Sequence, residues 1–152
     1  MLYPPDALKA PKGELMLNIR SYQEKDAAAV SHLWQECFPD APPHNRPLED
    51  IQRKLAVQRE LFLVALLDEQ LVGTVMAGYD GHRGWVYYVA VSSRRQRRGI
   101  GAALMKQAEL KLAALGCTKI NLQVRTSNTA VVAFYRSLGY LVEERVSMGK
   151  LL

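Results

Sequence analysis

Residues 87–104 carry the most informative pattern of the sequence, because there an apolar strand pattern leads through a basic loop into a helix. Tyr87–Val91 is typical of a strand, and from Ile100 onward the apolar residues recur at helical spacing. Arginines at positions 94, 95, 97 and 98 and glycines at 99 and 101 lie in between. Backbone N–H groups at a helix N-terminus lack partners in the helix, and glycine lets a ligand approach them. The stretch therefore predicts an anion site, and the arginines indicate phosphate.

Two common nucleotide-binding motifs do not match this stretch. No Lys-Ser/Thr pair follows Gly101, and Leu104 stands where G-x-G-x-x-G has its third glycine. Residues 96–101, Gln-Arg-Arg-Gly-Ile-Gly, instead resemble the Gln/Arg-x-x-Gly-x-Gly/Ala pyrophosphate signature of the GNAT superfamily of N-acetyltransferases. In that family the signature follows a strand such as Tyr87–Val91 and binds the pyrophosphate of acetyl-CoA.

A second motif, residues 128–140, looks like the C-terminal signature of the same superfamily. It begins with Asn128, contains Tyr135 and ends in Gly139-Tyr140. Two motifs in the same order, separated by the expected helix and strand, are far more specific than either motif alone. The resemblance covers the chain from about residue 17 to its end.

Periodicity and turn residues predict the element order β-α-α-β-β-β-α-β-α-β-β. The predicted strands are 17–20, 61–67, 71–77, 85–91, 119–124, 140–142 and 146–148, and the predicted helices are 24–38, 48–57, 100–115 and 129–138. The unit from Trp85 to Val124 is expected to be a right-handed crossover between parallel strands. The predicted fold class is α/β (α+β), with a mixed, largely antiparallel central sheet flanked by helices. This is also the GNAT fold that the resemblance implies, in which residues 24–57 form a substrate-selecting wall.

Length and composition favour one domain with a sizeable core, since 49% of the 152 residues are hydrophobic. Three prolines and a glycine break any periodicity in residues 1–15, which we predict to be an N-terminal extension. Residues 16–152 are then a single GNAT acetyltransferase domain, and the sequence leaves Met16 open as an alternative start. Four of the five net positive charges lie in the arginine loop, which suits a compact anion better than a long polyanion.

Nothing in the sequence calls for an oxidising compartment or a membrane. Cys37 and Cys117 have neither metal-ligand nor C-x-x-C spacing. The N-terminal residues lack a signal-peptide pattern, and the longest apolar run, Leu61–Leu67, is too short to cross a bilayer. We therefore predict a cytoplasmic protein that uses no metal and binds no membrane.

The resemblance implies an N-acetyltransferase that moves an acetyl group from acetyl-CoA to a primary amine by direct attack in a ternary complex. The sequence leaves open whether the amine belongs to a small molecule or to a protein, and whether the chain forms a homodimer. One alternative is a GNAT fold that binds acyl-CoA without catalysis, as a sensor or scaffold. A less favoured alternative is a nucleic-acid-binding module that uses Arg94–Arg98, for which only Tyr87 and Tyr88 lie near enough to stack on bases.

Under this resemblance Tyr135 is the predicted catalytic acid. A phenol with an ordinary pKa of about 10 can protonate a leaving thiolate whose conjugate acid titrates near 8.5. His82 is the favoured base because its ordinary pKa of about 6.5 suits proton removal near neutrality, with Asp80, Glu24 or a water chain as other options. The resemblance also implies that a backbone N–H of Val89–Val91 stabilises the oxyanion and that this strand edge pairs with the pantetheine amides.

The residues predicted to bind acetyl-CoA lie in both motifs and on the preceding strand. They are Val89, Ala90, Val91, Gln96, Arg97, Arg98, Gly99, Ile100, Gly101, Ala102, Asn128 and Tyr135. Two positions depart from the family pattern, because Arg97 stands where glycine is frequent and Ser93 where proline is common. Arg97 fits if its amide, and not its side chain, faces the phosphate. Two structural roles also remain open, since Tyr135 could be a core aromatic residue and Asn128 a helix cap.

Overall fold

A computed structural model describes residues 15–152 of the chain. These residues divide into two compact units, one that ends at Leu122 and one that spans residues 123–152. Apart from Leu15, the predicted N-terminal extension lies outside the described residues. The strands are β1 (Leu17–Ser21), β2 (Phe62–Leu67), β3 (Gln70–Tyr79), β4 (Gly84–Val91) and β5 (Ile120–Asn121), and the helices are α1 (Ala27–Cys37), α2 (Pro47–Leu55), α3 (Ile100–Ala114) and α4 (Thr129–Ser137).

The first unit is built on a five-stranded mixed sheet in the order β1-β2-β3-β4-β5. Neighbouring strands from β1 to β4 are antiparallel, whereas β5 is parallel to β4, as the predicted crossover requires. The hairpin between β2 and β3 turns on Asp68 and Glu69, which both have positive φ. Two such residues form a type I′ turn, whose twist matches that of the flanking strands. The predicted mixed, largely antiparallel sheet is confirmed.

Two adjacent residues of β3 show that helices cover both faces of the sheet. Thr74 accepts a hydrogen bond from Trp34 in α1, so its side chain faces that helix. A Cβ added to the preceding Gly73 would lie 2.9 Å from Leu104 in α3 and 3.0 Å from the backbone oxygen of Ala90. Because successive residues of a strand point to opposite faces, α1 and α3 lie on opposite sides of the sheet. Glycine at position 73 lets α3 pack directly on the β3 backbone.

A partly buried ion pair holds the connection between β1 and α1. The guanidinium of Arg20 donates to both carboxylate oxygens of Asp26, at 2.7 and 2.9 Å, and the backbone N–H of Gln23 donates to the same group at 2.8 Å. Burial alone would raise the pKa of Asp26, but these donors hold it below its ordinary value. The carboxylate thus stays ionised and links β1 to the turn that precedes α1.

The second unit contains α4 and a segment, residues 140–152, that has no helix or strand. The predicted strands 140–142 and 146–148 are therefore wrong, and β5 is shorter than the predicted 119–124. Leu141 and Val146 are largely exposed, at 84% and 88%. Alternating apolar residues favour a strand only where a partner edge covers them, and a pair of three-residue strands has too few cross-strand contacts to persist alone.

Candidate active site

The arginine loop leads into the N-terminus of α3, and the backbone there is open to ligand. Gly99 caps the helix with a φ of 75°, and a Cβ placed on it would meet no atom within 4 Å. The first bond of the helix runs from the N–H of Ala103 to the carbonyl of Gly99, at 2.9 Å. The N–H groups of residues 100–102 precede that bond and have no carbonyl of the helix to bond to. Together with the helix dipole they form a cradle for an anion.

The side chains of the loop supply positive charge around this cradle. Gln96, Arg97 and Arg98 are exposed, and Ile100 is buried at 3% exposure, so it anchors the helix start in the core. Within residues 15–152, no carboxylate lies within 4.0 Å of the guanidinium groups in this loop. Their charge therefore remains available to a phosphate-bearing ligand.

A carboxylate from α1 holds the beginning of the loop. Glu36 Oε1 accepts from the backbone N–H of Ser93 at 3.0 Å and from its hydroxyl at 2.6 Å. These two hydrogen bonds, with Arg94 nearby, keep the pKa of Glu36 below its ordinary value. Proline, which is common at position 93 in the superfamily that the sequence resembles, has no backbone N–H. Serine has one, and Glu36 provides its acceptor.

Arg97 occupies the left-handed region, with a φ of 62°, where a side chain is strained. Arg97→Gly should relieve that strain by about 1–2 kcal/mol, partly offset by the greater entropy of glycine in the unfolded chain, for a net gain of about 0.5 kcal/mol. Arg98→Gly is the matched control, since Arg98 has no positive φ and should only lose stability. Thermal unfolding of both variants measures the difference. An Arg97→Gly variant less stable than Arg98→Gly would contradict this account.

The strand before the loop carries a β-bulge at its centre. Thr74 of β3 pairs with Ala90, but Met76 pairs with Tyr87, so Tyr88 and Val89 together lie opposite one residue of β3. Tyr88 has a φ of 48°, in the left-handed region. A bulge leaves a residue outside the regular ladder and turns its backbone groups away from the neighbouring strand. The predicted oxyanion donors, Val89–Val91, begin in this bulge.

A buried relay of hydrogen bonds holds the bulge. The indole N–H of Trp34 donates to the hydroxyl of Thr74 at 2.9 Å, and that hydroxyl donates to the carbonyl of Tyr88 at 2.8 Å. Thr74 is fully buried, and the rings of Trp34 and Tyr88 stack with centroids 3.8 Å apart. A strained backbone persists where its surroundings over-determine it. Here a hydrogen bond and a stacked ring fix the same residue.

The side chain of Tyr88 reaches a pocket of about 390 Å³ between α2 and the sheet. Its hydroxyl donates to Asp50 Oδ2 at 2.7 Å, and burial and this bond raise the pKa of Tyr88, which keeps the hydroxyl protonated. The lining residues are Asn45, Asp50, Arg53, Lys54, Met76, Ala77, Gly78, Tyr87 and Tyr88. A second pocket of about 180 Å³, which shares Asn45 and Tyr88, is lined mainly by apolar residues of α1 and the following loop. The helix–loop–helix segment thus lines a pocket next to the bulge.

The structure places His82 away from these features. His82 is exposed, and its backbone N–H donates to Asp80 Oδ1 at 2.7 Å in a turn that precedes β4. His82 lines neither of the two pockets described above, and Tyr88 lies six positions further along the chain. The other options, Asp80 and Glu24, lie in that same turn and in an exposed ion pair with Arg59. The role of His82 as the base stays a prediction.

In the second unit, the two residues of the C-terminal motif have defined surroundings. The side chain of Asn128 accepts from the N–H of Val131 at 3.3 Å and so caps α4. Tyr135 is buried, with ring-edge contacts to Phe134 and Tyr140. Burial raises the pKa of Tyr135 to about 12. At neutral pH this phenol therefore remains protonated, as a proton donor must.

Over the described part of the chain, no three His, Cys, Asp or Glu side chains are grouped so that they could hold a metal ion. Both cysteines, Cys37 and Cys117, are free and partly buried. None of the helices within residues 15–152 has the length and apolar character needed to span a bilayer.

Within a mixed sheet, a strand leads through a basic loop into a glycine-capped helix, which is the order of elements that the resemblance to acetyltransferases predicts. The sequence of the chain agrees, because residues 27–140 match the acetyltransferase (GNAT) family. The chain belongs to that family and is an acyltransferase.

Individual relatives support the same assignment over nearly the whole chain. An acetyltransferase of Pectobacterium atrosepticum is 44% identical and one of Yersinia pestis is 43% identical, each over 136 residues, or 90% of this chain and 96% of the relative. Among solved structures, aminoglycoside N-acetyltransferase AAC(6')-Iy in complex with CoA aligns with a TM-score of 0.77 and 18% identity, over 93% of this chain and 99% of that one. At that identity the likeness shows the fold.

Proposed function

We propose that this chain transfers the acetyl group of acetyl-CoA directly to a primary amine in a ternary complex. The observation that carries the proposal is the open N-terminus of α3, where the N–H groups of residues 100–102 precede the first helical bond beside an arginine-rich loop. A diphosphate is the anion that such a cradle and several guanidinium groups fit together. The bulged strand β4 leads into this loop, so a ligand held there can extend along the strand toward Tyr88.

The proposed cofactor contacts divide by chemistry. Residues 96–102 hold the pyrophosphate, mainly through backbone N–H groups, and the edge of Val89–Val91 pairs with the pantetheine amides as an added strand would. Asn128 contacts the pantetheine arm while it caps α4.

The proposed reaction follows from these groups. The amine nitrogen attacks the thioester carbonyl carbon, and a backbone N–H of Val89–Val91 stabilises the negative charge that develops on the carbonyl oxygen. The carbon–sulfur bond then breaks, and Tyr135 gives its proton to the departing thiolate. The nitrogen must be neutral to attack, so the ammonium form of the acceptor first gives one proton to a base, for which His82 remains the proposed group, acting through water. The second proton, lost as the amide forms, restores the hydroxyl of Tyr135.

Binding of acetyl-CoA is the decisive test. At 100 times its dissociation constant, acetyl-CoA should stabilise the folded chain by about 2.7 kcal/mol, which a thermal unfolding experiment measures. The same sample should release free thiol when an amine acceptor is added. Stabilisation without thiol release for any amine would favour a sensor, and oligonucleotide binding with a steep salt dependence and no response to acetyl-CoA would favour a nucleic-acid module.

Two glycines at opposite ends of α3 provide matched variants for this test. Gly99 and Gly116 both have positive φ, and a Cβ on either would meet no atom within 4 Å. Gly99→Asp places a negative charge at the proposed phosphate cradle, so it should weaken acetyl-CoA binding at least about tenfold. Gly116→Asp places the same charge at the far end of the helix and should bind as the parent does. If both variants bound acetyl-CoA equally well, the cofactor site would not lie at Gly99.

A further inference from the structure

We infer that the pocket between α2 and β4 takes a small acceptor that carries one ammonium group and one anionic group, either a carboxylate or a phosphate. Asp50 binds the ammonium, and Arg53 and Lys54 face the anion. This inference rests on the proposed function, because it assigns the amine substrate of that reaction. It excludes polyamines and other polycations as good acceptors.

Asp50 is the group that fits the ammonium. Its side chain is 18% exposed, and its Oδ2 accepts from the hydroxyl of Tyr88 at 2.7 Å. Because Tyr88 is the bulged residue of β4, this bond ties the carboxylate to the part of the strand where the acyl group is proposed to lie. Carboxylates are the side chains that hold an ammonium at a defined position in proteins. A primary amine bound to Asp50 would thus lie beside the bulge.

Two neighbouring cations of α2 line the same pocket. Lys54 donates through Nζ to the carbonyl of Ala77, and burial lowers the pKa of Lys54. Its ammonium is therefore held in the pocket wall by a neutral oxygen. A bound anion would offset the loss of hydration that burial imposes on this ammonium. Arg53 pairs with Asp50 and Glu49, but its side chain is 64% exposed, so little holds it in one position. Arg53 can turn its guanidinium toward a carboxylate or phosphate.

The net charge and the size of the pocket select the acceptor further. Among the lining residues, Asp50 carries one negative charge and Arg53 and Lys54 carry two positive charges, while Glu49, which pairs with Arg53, and Glu60, near Lys54, lie outside the lining. A second ammonium on the acceptor would meet repulsion, whereas an anion would meet attraction. The volume of about 390 Å³ is near the lower end of the range for small-molecule sites. The pocket therefore suits a compact zwitterion.

Acceptors of matched length test this inference. Initial rates of thiol release with acetyl-CoA would be compared for 4-aminobutyrate, its amide 4-aminobutyramide, 1,4-diaminobutane and 3-aminopropyl phosphate. We expect kcat/KM to be about tenfold higher for a zwitterion than for the amide, and lowest for the diamine. Whichever of 4-aminobutyrate and 3-aminopropyl phosphate has the higher kcat/KM identifies the anionic group that the pocket prefers. An amide or diamine that reacts as well as both zwitterions would overturn the inference.

Variants assign the selectivity to this pocket. Arg53→Gln or Lys54→Gln should raise KM for the zwitterion about tenfold and leave KM for the amide nearly unchanged, while Asp50→Asn should raise both. Arg59→Gln is the control, because Arg59 pairs with Glu24 outside the pocket. If neither Arg53→Gln nor Lys54→Gln changes the ratio of zwitterion to amide, the inference is wrong. If acetyl-CoA binds but none of the four acceptors reacts, the small-acceptor inference fails while the cofactor site stands.

Discussion

Replacing Tyr135 with phenylalanine should lower kcat by about 10²–10⁴-fold while leaving KM for acetyl-CoA nearly unchanged. The substitution removes one oxygen from a buried ring and keeps the ring contacts with Phe134 and Tyr140. Without the hydroxyl the thiolate must leave unprotonated or take its proton from water. Steady-state rates of thiol release, measured over acetyl-CoA concentration, separate the two kinetic constants.

The pH dependence gives this prediction a second readout. Because burial raises the pKa of Tyr135 to about 12, the phenol is protonated at all pH values below that and loses its proton only above it. Between pH 7 and 10, loss of the Tyr135 proton should therefore cause no fall in the activity of the parent protein. The pH profiles of the parent and of Tyr135→Phe should have the same shape over this range. Tyr140→Phe removes the hydroxyl of the neighbouring ring and should keep most of its kcat. A Tyr135→Phe variant with the same kcat as Tyr140→Phe would leave Tyr135 as a packing residue.

Much of the fold was predictable because its signals are local. The β2–β3 hairpin follows from two apolar runs around a short polar turn, and that turn has positive φ at Asp68 and Glu69. The ends of α3 and α4 follow from Gly116 and Gly139, which both adopt the left-handed conformation that ends helices. Gly73 also had a local signal, since a glycine inside a strand indicates a bulge or a close approach. In each case a few neighbouring residues determine the backbone.

The bulge in β4 could not be predicted, because distant residues hold it. Tyr88 has no local reason to adopt positive φ, since it lies in an apolar run without glycine. Its conformation depends on Thr74, 14 positions away, and through Thr74 on Trp34, 40 positions further. The same holds for the pocket between α2 and the sheet, where Asp50 meets Tyr88 across 38 positions. The sequence indicated a pocket wall in this region, but it did not show which polar groups converge there.

The chemistry of a side chain does not by itself predict whether the side chain lies in the active site. The ordinary pKa of a histidine favours His82 as the base, yet the structure places it in an exposed turn before β4. A pKa gives the capacity of a side chain to take a proton and does not give its position. The proposed anion cradle at the start of α3 is different, because strand, loop, glycine and helix are consecutive in sequence. Its local geometry therefore followed from the order of residues.

Thr74→Val, which breaks the buried relay at the bulge, should lower both the stability and the activity of the protein. Valine keeps the shape of threonine but has no hydroxyl, so the indole N–H of Trp34 and the carbonyl of Tyr88 both lose their partner in the core. Each orphaned group costs about 1–3 kcal/mol, and the free energy of unfolding should fall by about 2–4 kcal/mol. Since Tyr88 is also the residue that binds Asp50, kcat/KM should fall as well. Urea denaturation and acceptor kinetics measure the two losses.

Thr74→Ser separates the hydrogen bonds from the packing at this position. Serine keeps the hydroxyl and loses one buried methyl group, which costs about 1 kcal/mol, so the bulge and the kinetics should both survive. The expected order of stability is therefore parent, serine variant, valine variant. If serine and valine were equally destabilising, the methyl group of Thr74 and not its hydroxyl would hold the strand. Tyr88 would then keep its positive φ through stacking on Trp34, and Trp34→Leu, which removes the aromatic ring, would become the substitution that releases the bulge.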